Sequence, residues 1–174
     1  SDATSRGKVA GDTDNTQATN NTNLNYSIVS KIKTIDRNSD GLVDHLYFGD
    51  LGGQAFRVDI DNRSSSTAFA KRVVRILDLH NAALGPRFYE VPALTIHNGT
   101  TGPFAVVSFG SGNRSKPMFP REPTETATWT TGEQSYINDG VYAVIDKDVA
   151  RTDLYSTTDT ANLSNLYTHD VVTG

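Results

Sequence analysis

Residues 36–44 have the sequence DRNSDGLVD, and the chain around them is organised by this stretch. Oxygen-bearing side chains occupy its first, third, fifth and ninth positions, and a glycine occupies the sixth. The spacing matches the first three-quarters of an EF-hand calcium loop, in which alternate residues direct oxygen atoms at one centre. The predicted calcium ligands are Asp36, Asn38, Asp40, the backbone carbonyl of Leu42, and Asp44.

The twelfth position of this loop is Tyr47, whereas an EF-hand has a bidentate glutamate there. We therefore expect weaker binding than in the tightest EF-hands, at the micromolar-to-millimolar end of their range. The alternative is an acidic turn without a metal, because Asp, Asn and Gly are common in turns. Three carboxylates within nine residues repel one another unless a cation compensates, which favours a metal. Magnesium is the weaker candidate because it demands a near-ideal octahedron and retains water.

The sequence on both sides of the loop predicts strands. Apolar and polar residues alternate over 26–35, before the loop, and a second short strand is expected at 46–49. The glycine pair at 52–53 then predicts a hairpin turn into a strand at 54–60. The calcium loop should therefore connect two strands, and the ion would fix the angle between them.

Further strands are predicted at 71–79, 103–110 and 141–146, and residues 87–96 are expected to be extended, with Pro92 confining them to an edge or bend. The continuous apolar run of 103–110 predicts a strand that is covered on both faces. Six to eight short strands indicate an all-β fold, either a sandwich or pieces of a propeller. A propeller blade takes about 40–45 residues. The expected fold is therefore a modified β-propeller fragment of two to three blades, completed by further chain.

Three segments are expected along the chain. Residues 1–25 are polar and are predicted to be disordered or exposed, since they hold too little apolar surface to fold. Residues 26–150 would form the propeller blades and include the calcium loop. Residues 151–174 would form a C-terminal tail or a blade-closing segment.

Composition argues against several classes of protein. The formal net charge of −4 argues against a sequence-independent nucleic-acid binder. The absence of cysteine excludes disulfides and thiol chemistry, and no apolar run reaches the roughly 20 residues of a membrane span. The four histidines are scattered without metal-binding spacing, and the sequence around Ser111 lacks the Gly-x-Ser-x-Gly pattern of a hydrolase. The chain is therefore predicted to have no enzymatic activity.

Residues 36–59 resemble the C-terminal β-propeller of the PilC/PilY-type type IV pilus biogenesis factors and tip adhesins. The resemblance rests on DRNSDGLVD followed by LYFGDLGGQAFRVD at 46–59. Two later stretches agree with the family in the same order, FGSGNR at 109–114 and VYAVIDKD at 141–148. Asn113 departs from the family pattern, in which an acidic residue is common.

The resemblance implies a surface module at the pilus tip (fimbrium) of a bacterium, either associated with the outer membrane or extracellular. Calcium in the loop would act as a switch between pilus extension and retraction, and so would control twitching motility and attachment. The implied partners are minor pilins or the pilus tip complex, and a host or abiotic surface.

Two alternatives remain open at this stage. Propellers of similar appearance hold a pyrroloquinoline-quinone cofactor in dehydrogenases, where a calcium ion acts as a Lewis acid. The predicted ligands here all come from one contiguous loop, which is more typical of a structural or sensing site. The second alternative is a generic secreted binding module that calcium stabilises.

Overall fold

Two antiparallel four-stranded sheets make up the protein in its computed structural model, which describes residues 23–63, 69–80, 86–112, 114, 140–150 and 166–171. The strands of the first sheet are β1 (Lys33–Ile35), β2 (His45–Gly49), β3 (Gln54–Ile60) and β4 (Ala70–Asp78). Those of the second are β5 (Ala93–Gly99), β6 (Gly102–Gly110), β7 (Val141–Asp146) and β8 (Leu166–Val171). A short 3-10 helix, Asp148–Ala150, follows β7. The predicted all-β class is confirmed.

Each sheet is a meander in which every strand pairs with the next one along the chain. The β5–β6 hairpin turns through residues 100–101, and β8 places the last described residues beside β7. Most of the predicted polar segment 1–25, and residues 151–165 of the predicted tail, lie outside the described residues. Across the described ranges, no helix is both long and apolar enough to span a membrane.

The β2–β3 hairpin is held by Asp50, whose side chain is fully buried. Its Oδ1 accepts hydrogen bonds from the backbone amides of Gly52 and Gln54, both at 2.9 Å. Burial raises the pKa of Asp50, although these amide hydrogen bonds oppose the rise. Gly53 has φ of 82°, a left-handed conformation that glycine adopts without strain, so the predicted glycine turn is confirmed.

The main core lies between the two sheets. It joins residues of the first sheet, such as Tyr47 and Leu77, to residues of the second, such as Val107 and Val144. Phe88 is fully buried at its centre, and its ring centroid lies 5.4 Å from that of Phe109. The two sheets are therefore held together by one shared apolar layer.

A second core covers the opposite face of the first sheet. Phe48, Phe56 and Val73 form it with their neighbours, and the rings of Phe48 and Phe56 stack at 5.7 Å. As a result every residue of β3 is buried. The strand with both faces covered is therefore β3, and the prediction that 103–110 is such a strand is wrong.

In β6 buried residues alternate with partly exposed ones, as expected when only one face meets the core. A continuous apolar run allows a strand to be buried on both faces. Whether it is buried depends on which other segments pack against each face. The polar members of β3 are buried because they have polar partners: Arg57 pairs with Asp59, and Gln54 bonds to Asp50 and Arg75. An apolar count does not detect such pairing.

The prediction of a strand over 26–35 is also largely wrong. Only Lys33–Ile35 pairs with β2, in the register Ile35 opposite His45. Residue Tyr26 instead hydrogen-bonds through its hydroxyl to His80 Nε2 at 2.9 Å, beside the β2–β3 turn. An alternating pattern predicts which face each side chain would occupy. A strand forms only where a neighbouring strand is available to pair with it, and here only Lys33–Ile35 pair with β2.

Candidate metal centre

The loop 36–44 connects β1 to β2. Its last residue is fixed by the sheet, because the Asp44 amide donates to the carbonyl of Ile35 at 2.8 Å. The loop is therefore a closed excursion between two paired strands, as the sequence predicts. This differs from an EF-hand, where helices flank the loop.

Asp36 organises the first half of the loop. Its carboxylate accepts hydrogen bonds from the backbone amides of Ser39 at 2.6 Å and Gly41 at 2.8 Å. The chain can wind this tightly because Ser39 and Gly41 both have positive φ, 62° and 87°. Glycine adopts such a conformation at little cost, so the sixth position has a physical reason to be glycine.

The middle of the loop repeats the same short hydrogen-bonded turn. Asn38 Oδ1 accepts from the Asp40 amide at 2.9 Å, and Asp40 Oδ1 accepts from the Leu42 amide at 2.8 Å. Each side chain thus caps the backbone two residues further on. Asn38 Nδ2 also donates to Asp40 Oδ2 at 3.0 Å, so these two predicted ligands are adjacent.

Asp44 differs from the other ligand candidates because its side chain is buried, with 5% of its surface exposed. Its Oδ2 accepts from the Arg37 amide at 2.8 Å, across the loop. Its Oδ1 lies 3.5 Å from the side-chain nitrogen of Asn62, which comes from outside the loop. Each carboxylate oxygen of Asp44, at the ninth position, is therefore contacted by a nitrogen donor.

The twelfth position takes no part in the loop. Tyr47 is fully buried, and its hydroxyl donates to Asp146 Oδ2 at 3.0 Å, in the second sheet. Burial and the charge of Asp146 raise the pKa of Tyr47 well above its ordinary value, which keeps the hydroxyl protonated. An ion in the loop would therefore have to complete its shell with water or with neighbouring residues.

A polar cavity of about 190 Å³ opens beside the loop. It is lined on one side by loop residues and on the other by the segment 60–63 that follows β3: Arg37, Asn38, Asp40, Asp44, Ile60, Asp61, Asn62 and Arg63. The predicted ligands that line it, Asn38, Asp40 and Asp44, offer side-chain oxygens that suit a hard cation such as calcium, whereas Arg37 and Arg63 bring positive charge to the same cavity. In the part of the chain that the structure describes, no three acidic or histidine side chains converge as a metal-holding group.

The loop's carboxylates are instead turned towards its own amides. A carboxylate offers about four lone-pair sites, and Asp40 and Asp44 each use only part of theirs here. The residues present therefore fit a calcium ion in chemistry and in sequence order.

Sequence reasoning missed the second wall of this cavity. The stretch 61–67 is polar, as is typical of an exposed loop, yet residues 61–63 line the cavity opposite the loop 36–44, and 64–68 lie outside the described residues. The β2–β3 register contains the signal, because it brings Ile60 opposite Asp44, with the Ile60 amide donating to the Asp44 carbonyl at 2.8 Å.

A buried ion-pair network begins one residue after the loop. Arg57 is fully buried and donates to Asp59 through Nε at 2.8 Å and to Asp146 through Nη1 at 2.6 Å. His45 Nδ1 and Arg72 Nε also contact Asp59, at 2.8 and 2.6 Å. Because Asp146 belongs to β7, this network, like the shared core, ties the first sheet to the second.

The network holds its charges by mutual compensation. Burial alone would raise the pKa of Asp59, but the hydrogen bond with His45 and the charge of Arg57 outweigh burial and hold this pKa well below its ordinary value. Burial likewise opposes the charge on Arg57, yet Asp59 and Asp146 raise the pKa of Arg57 well above its ordinary value. Asp59 and Arg57 are thus both held in their charged forms at neutral pH, and their depth in the core suits a structural role.

Arg37 links the loop directly to the second sheet. Its Nη1 donates to the carbonyl of Val149 at 3.3 Å, in the 3-10 helix. Beside this contact lies a mainly apolar cavity of about 450 Å³ between the sheets, lined by Ile35, Arg37, His45, Ile96, Pro103, Phe104, Ala105, Val149 and Ala150. Arg37, which follows the first predicted ligand Asp36, therefore lines this inter-sheet cavity.

Comparison with known proteins identifies no relative: no family model matches the chain, and no curated protein or solved structure matches it. Function must therefore be inferred from the geometry of the loop and from the sequence pattern of residues 36–59.

Proposed function

We propose that the chain is a calcium-binding surface module of a type IV pilus biogenesis factor or tip adhesin, and that it is not an enzyme. Calcium in the loop 36–44 is its ligand, and calcium occupancy regulates pilus extension against retraction. The bound ion would have Asp36, Asn38, Asp40, the Leu42 carbonyl and Asp44 as its protein ligands.

The observation that carries the proposal is the winding of the loop on Asp36. The amides of Ser39 and Gly41 point inward to its carboxylate, and Gly41 adopts the left-handed turn. This is the backbone path that the ligand spacing of a calcium loop requires. A preformed path reduces the ordering that binding would otherwise demand.

Calcium is favoured over magnesium by the geometry of the loop. Calcium tolerates irregular shells of about six to eight oxygens, whereas magnesium demands an octahedron at about 2.0–2.1 Å. The cavity beside the loop has room for water molecules to complete an irregular shell. A surface site of this kind is open to exchange with the surroundings, as a sensor has to be.

A propeller is the finer fold that we propose. The first sheet runs from Lys33 to Asp78 as a four-stranded meander, close to the roughly 40–45 residues of one blade. The second sheet has the same strand order and packs against the first through the shared core. The two sheets would be two neighbouring blades of a ring that further chain closes.

The pilus role rests on the resemblance of residues 36–59, 109–114 and 141–148 to the PilC/PilY-type family. The contact from Arg37 to Val149 supports a regulatory role physically, since it couples the loop to the second sheet. Loss of calcium would loosen β1 against β2 and change the inter-sheet surface. Minor pilins or the pilus tip complex would be the partners that sense this change.

Calcium titration tests the binding step. Wild-type protein should bind one calcium ion with a dissociation constant between micromolar and millimolar, and Asp44→Ala should weaken binding at least about tenfold. Isothermal titration calorimetry measures both constants, and Asp78→Ala, at an exposed carboxylate, is the control that should bind like wild type. Equal affinity of Asp44→Ala and wild type would refute the ligand assignment.

Twitching motility tests the pilus step. A pilus-bearing strain that carries Asp40→Ala in this protein should lose twitching, because the switch could no longer register calcium. Motility is measured as the width of the subsurface twitching zone, with an Asp78→Ala strain as the control and protein level checked in both. Normal twitching by the Asp40→Ala strain would separate the metal site from pilus control.

A further inference from the structure

Asn62 contacts the predicted metal loop from outside it. Its Nδ2 donates to the carbonyl of Val43 at 3.0 Å and lies 3.5 Å from Asp44 Oδ1. We infer that Asn62 is a positioning residue for calcium binding, acting through Asp44. The inference rests on the proposed function, since it concerns how that same site reaches its affinity.

The sheet delivers Asn62 to the loop in a fixed position. The β2–β3 pairing continues one residue beyond β2, with the Ile60 amide bonded to the Asp44 carbonyl at 2.8 Å. The next residue is also anchored: the Asp61 amide donates to the Phe69 carbonyl at 2.9 Å, and its carboxylate meets Arg63 at 3.2 Å. Two residues beyond β3, the side chain of Asn62 is therefore held against the end of the loop.

Asn62 restrains Asp44 in a way that no loop residue does. The Arg37 amide holds Asp44 Oδ2 at 2.8 Å, and the Asn62 amide group approaches the other oxygen from the opposite side. Two donors on opposite oxygens set the rotation of a carboxylate. The bond to Val43 meanwhile holds the backbone directly before Asp44.

This restraint matters more here than in an EF-hand. With Tyr47 at the twelfth position, Asp44 is the last side-chain ligand that the loop offers. If the Asp44 carboxylate pointed away from the ion, the ion would lose the last side-chain ligand that the loop offers. Partners that orient metal ligands typically change metal affinity by about 10–100-fold when they are mutated. For one short and one long contact, we expect the lower end of that range.

An amide suits this position better than a carboxylate. Asn62 can donate to Asp44 and to Val43, whereas an ionised aspartate can only accept. The cavity already holds the carboxylates of Asp40, Asp44 and Asp61. A fourth would add repulsion between like charges whenever the ion is absent.

Calcium titration and thermal melting of Asn62→Ala test the inference. The dissociation constant should rise about tenfold relative to wild type, and the gain in melting temperature on adding calcium should shrink. Asn98→Ala, on the exposed strand β5, is the matched control and should keep the wild-type constant. A residue with a merely structural role would instead lower the melting temperature equally with calcium and with chelator.

A double-mutant cycle separates action through Asp44 from an independent effect. In an Asp44→Ala background, adding Asn62→Ala should leave the dissociation constant unchanged within about twofold, because the side chain that Asn62 positions is no longer there to ligate the ion. If the two substitutions instead raised the dissociation constant by factors that multiply, the inference would be overturned. If wild type binds calcium and Asn62→Ala has the same dissociation constant, the inference alone is refuted. If wild type does not bind calcium, the proposed function and the inference are refuted together.

Discussion

Replacing Arg57 with methionine should lower the free energy of unfolding by about 3–5 kcal/mol, because removal of one partner leaves buried charges uncompensated. Arg57 contacts both Asp59 and Asp146, and all three side chains are fully buried. Methionine fills similar volume but offers no charge and no donor. Among the described residues, Asp146 would then keep the Tyr47 hydroxyl and the Val149 amide as hydrogen-bond donors, neither of them charged.

Urea denaturation, monitored by far-ultraviolet circular dichroism, measures the free energy of unfolding of each variant. Arg75→Met is the matched control: Arg75 lies on the adjacent strand β4 and pairs with Asp78 at 2.9 Å, but its side chain is 32% exposed. Pairs of this kind are typically worth less than about 1 kcal/mol. Equal destabilisation by the two substitutions would show that the buried network is no more important than a surface pair.

Acidification should destabilise the protein through Asp59. Its pKa in the folded state is lowered, so ionised Asp59 contributes stability that is fully present above the unfolded pKa of about 3.9. That contribution is lost as the pH falls through the unfolded value towards the lower folded one. Between pH 6 and pH 3, wild type should lose roughly 1 kcal/mol more than Asp59→Asn, which has no proton to take up at this position.

The comparison requires chelator throughout, so that protonation of the metal loop does not add a calcium-dependent loss. Urea unfolding at several pH values gives the slope of stability against pH for each variant. Asp78→Asn controls for removal of one carboxylate at an exposed position. Parallel curves for wild type and Asp59→Asn would exclude Asp59 as a source of acid sensitivity.

The sequence predicts the hairpins of this fold well, because their signals are local. The glycine pair at 52–53 marks the turn between β2 and β3, and the alternation of 141–146 coincides with β7. The loop 36–44 also lies where its ligand spacing places it, between two strands. Its internal hydrogen bonds join residues two to seven positions apart, so local sequence carries most of the information.

The features that sequence did not predict depend on contacts between distant residues. Arg57 and Asp146 are 89 positions apart, and neither residue indicates that the other will neutralise it. Asn62 lies in a polar stretch that is typical of an exposed loop, yet the register of β2 and β3 brings it to Asp44. Burial of β3 on both faces likewise depends on which segments cover the sheet, and hydrophobic periodicity within the strand does not contain that information.

The meander order of the first sheet has a consequence for the sequence of events during folding. Each of its strands pairs with its immediate successor, so closing the loop 36–44 and docking Asn62 require only short chain segments. The bond between Arg57 and Asp146 must wait for a much longer loop to close, and non-local closure of this kind is slow. We therefore expect the loop 36–44 and its contact with Asn62 to form on the first sheet before the second sheet docks. Under the proposed function, calcium bound at that stage would stabilise the β1–β2 hairpin before the rest of the protein assembles on it.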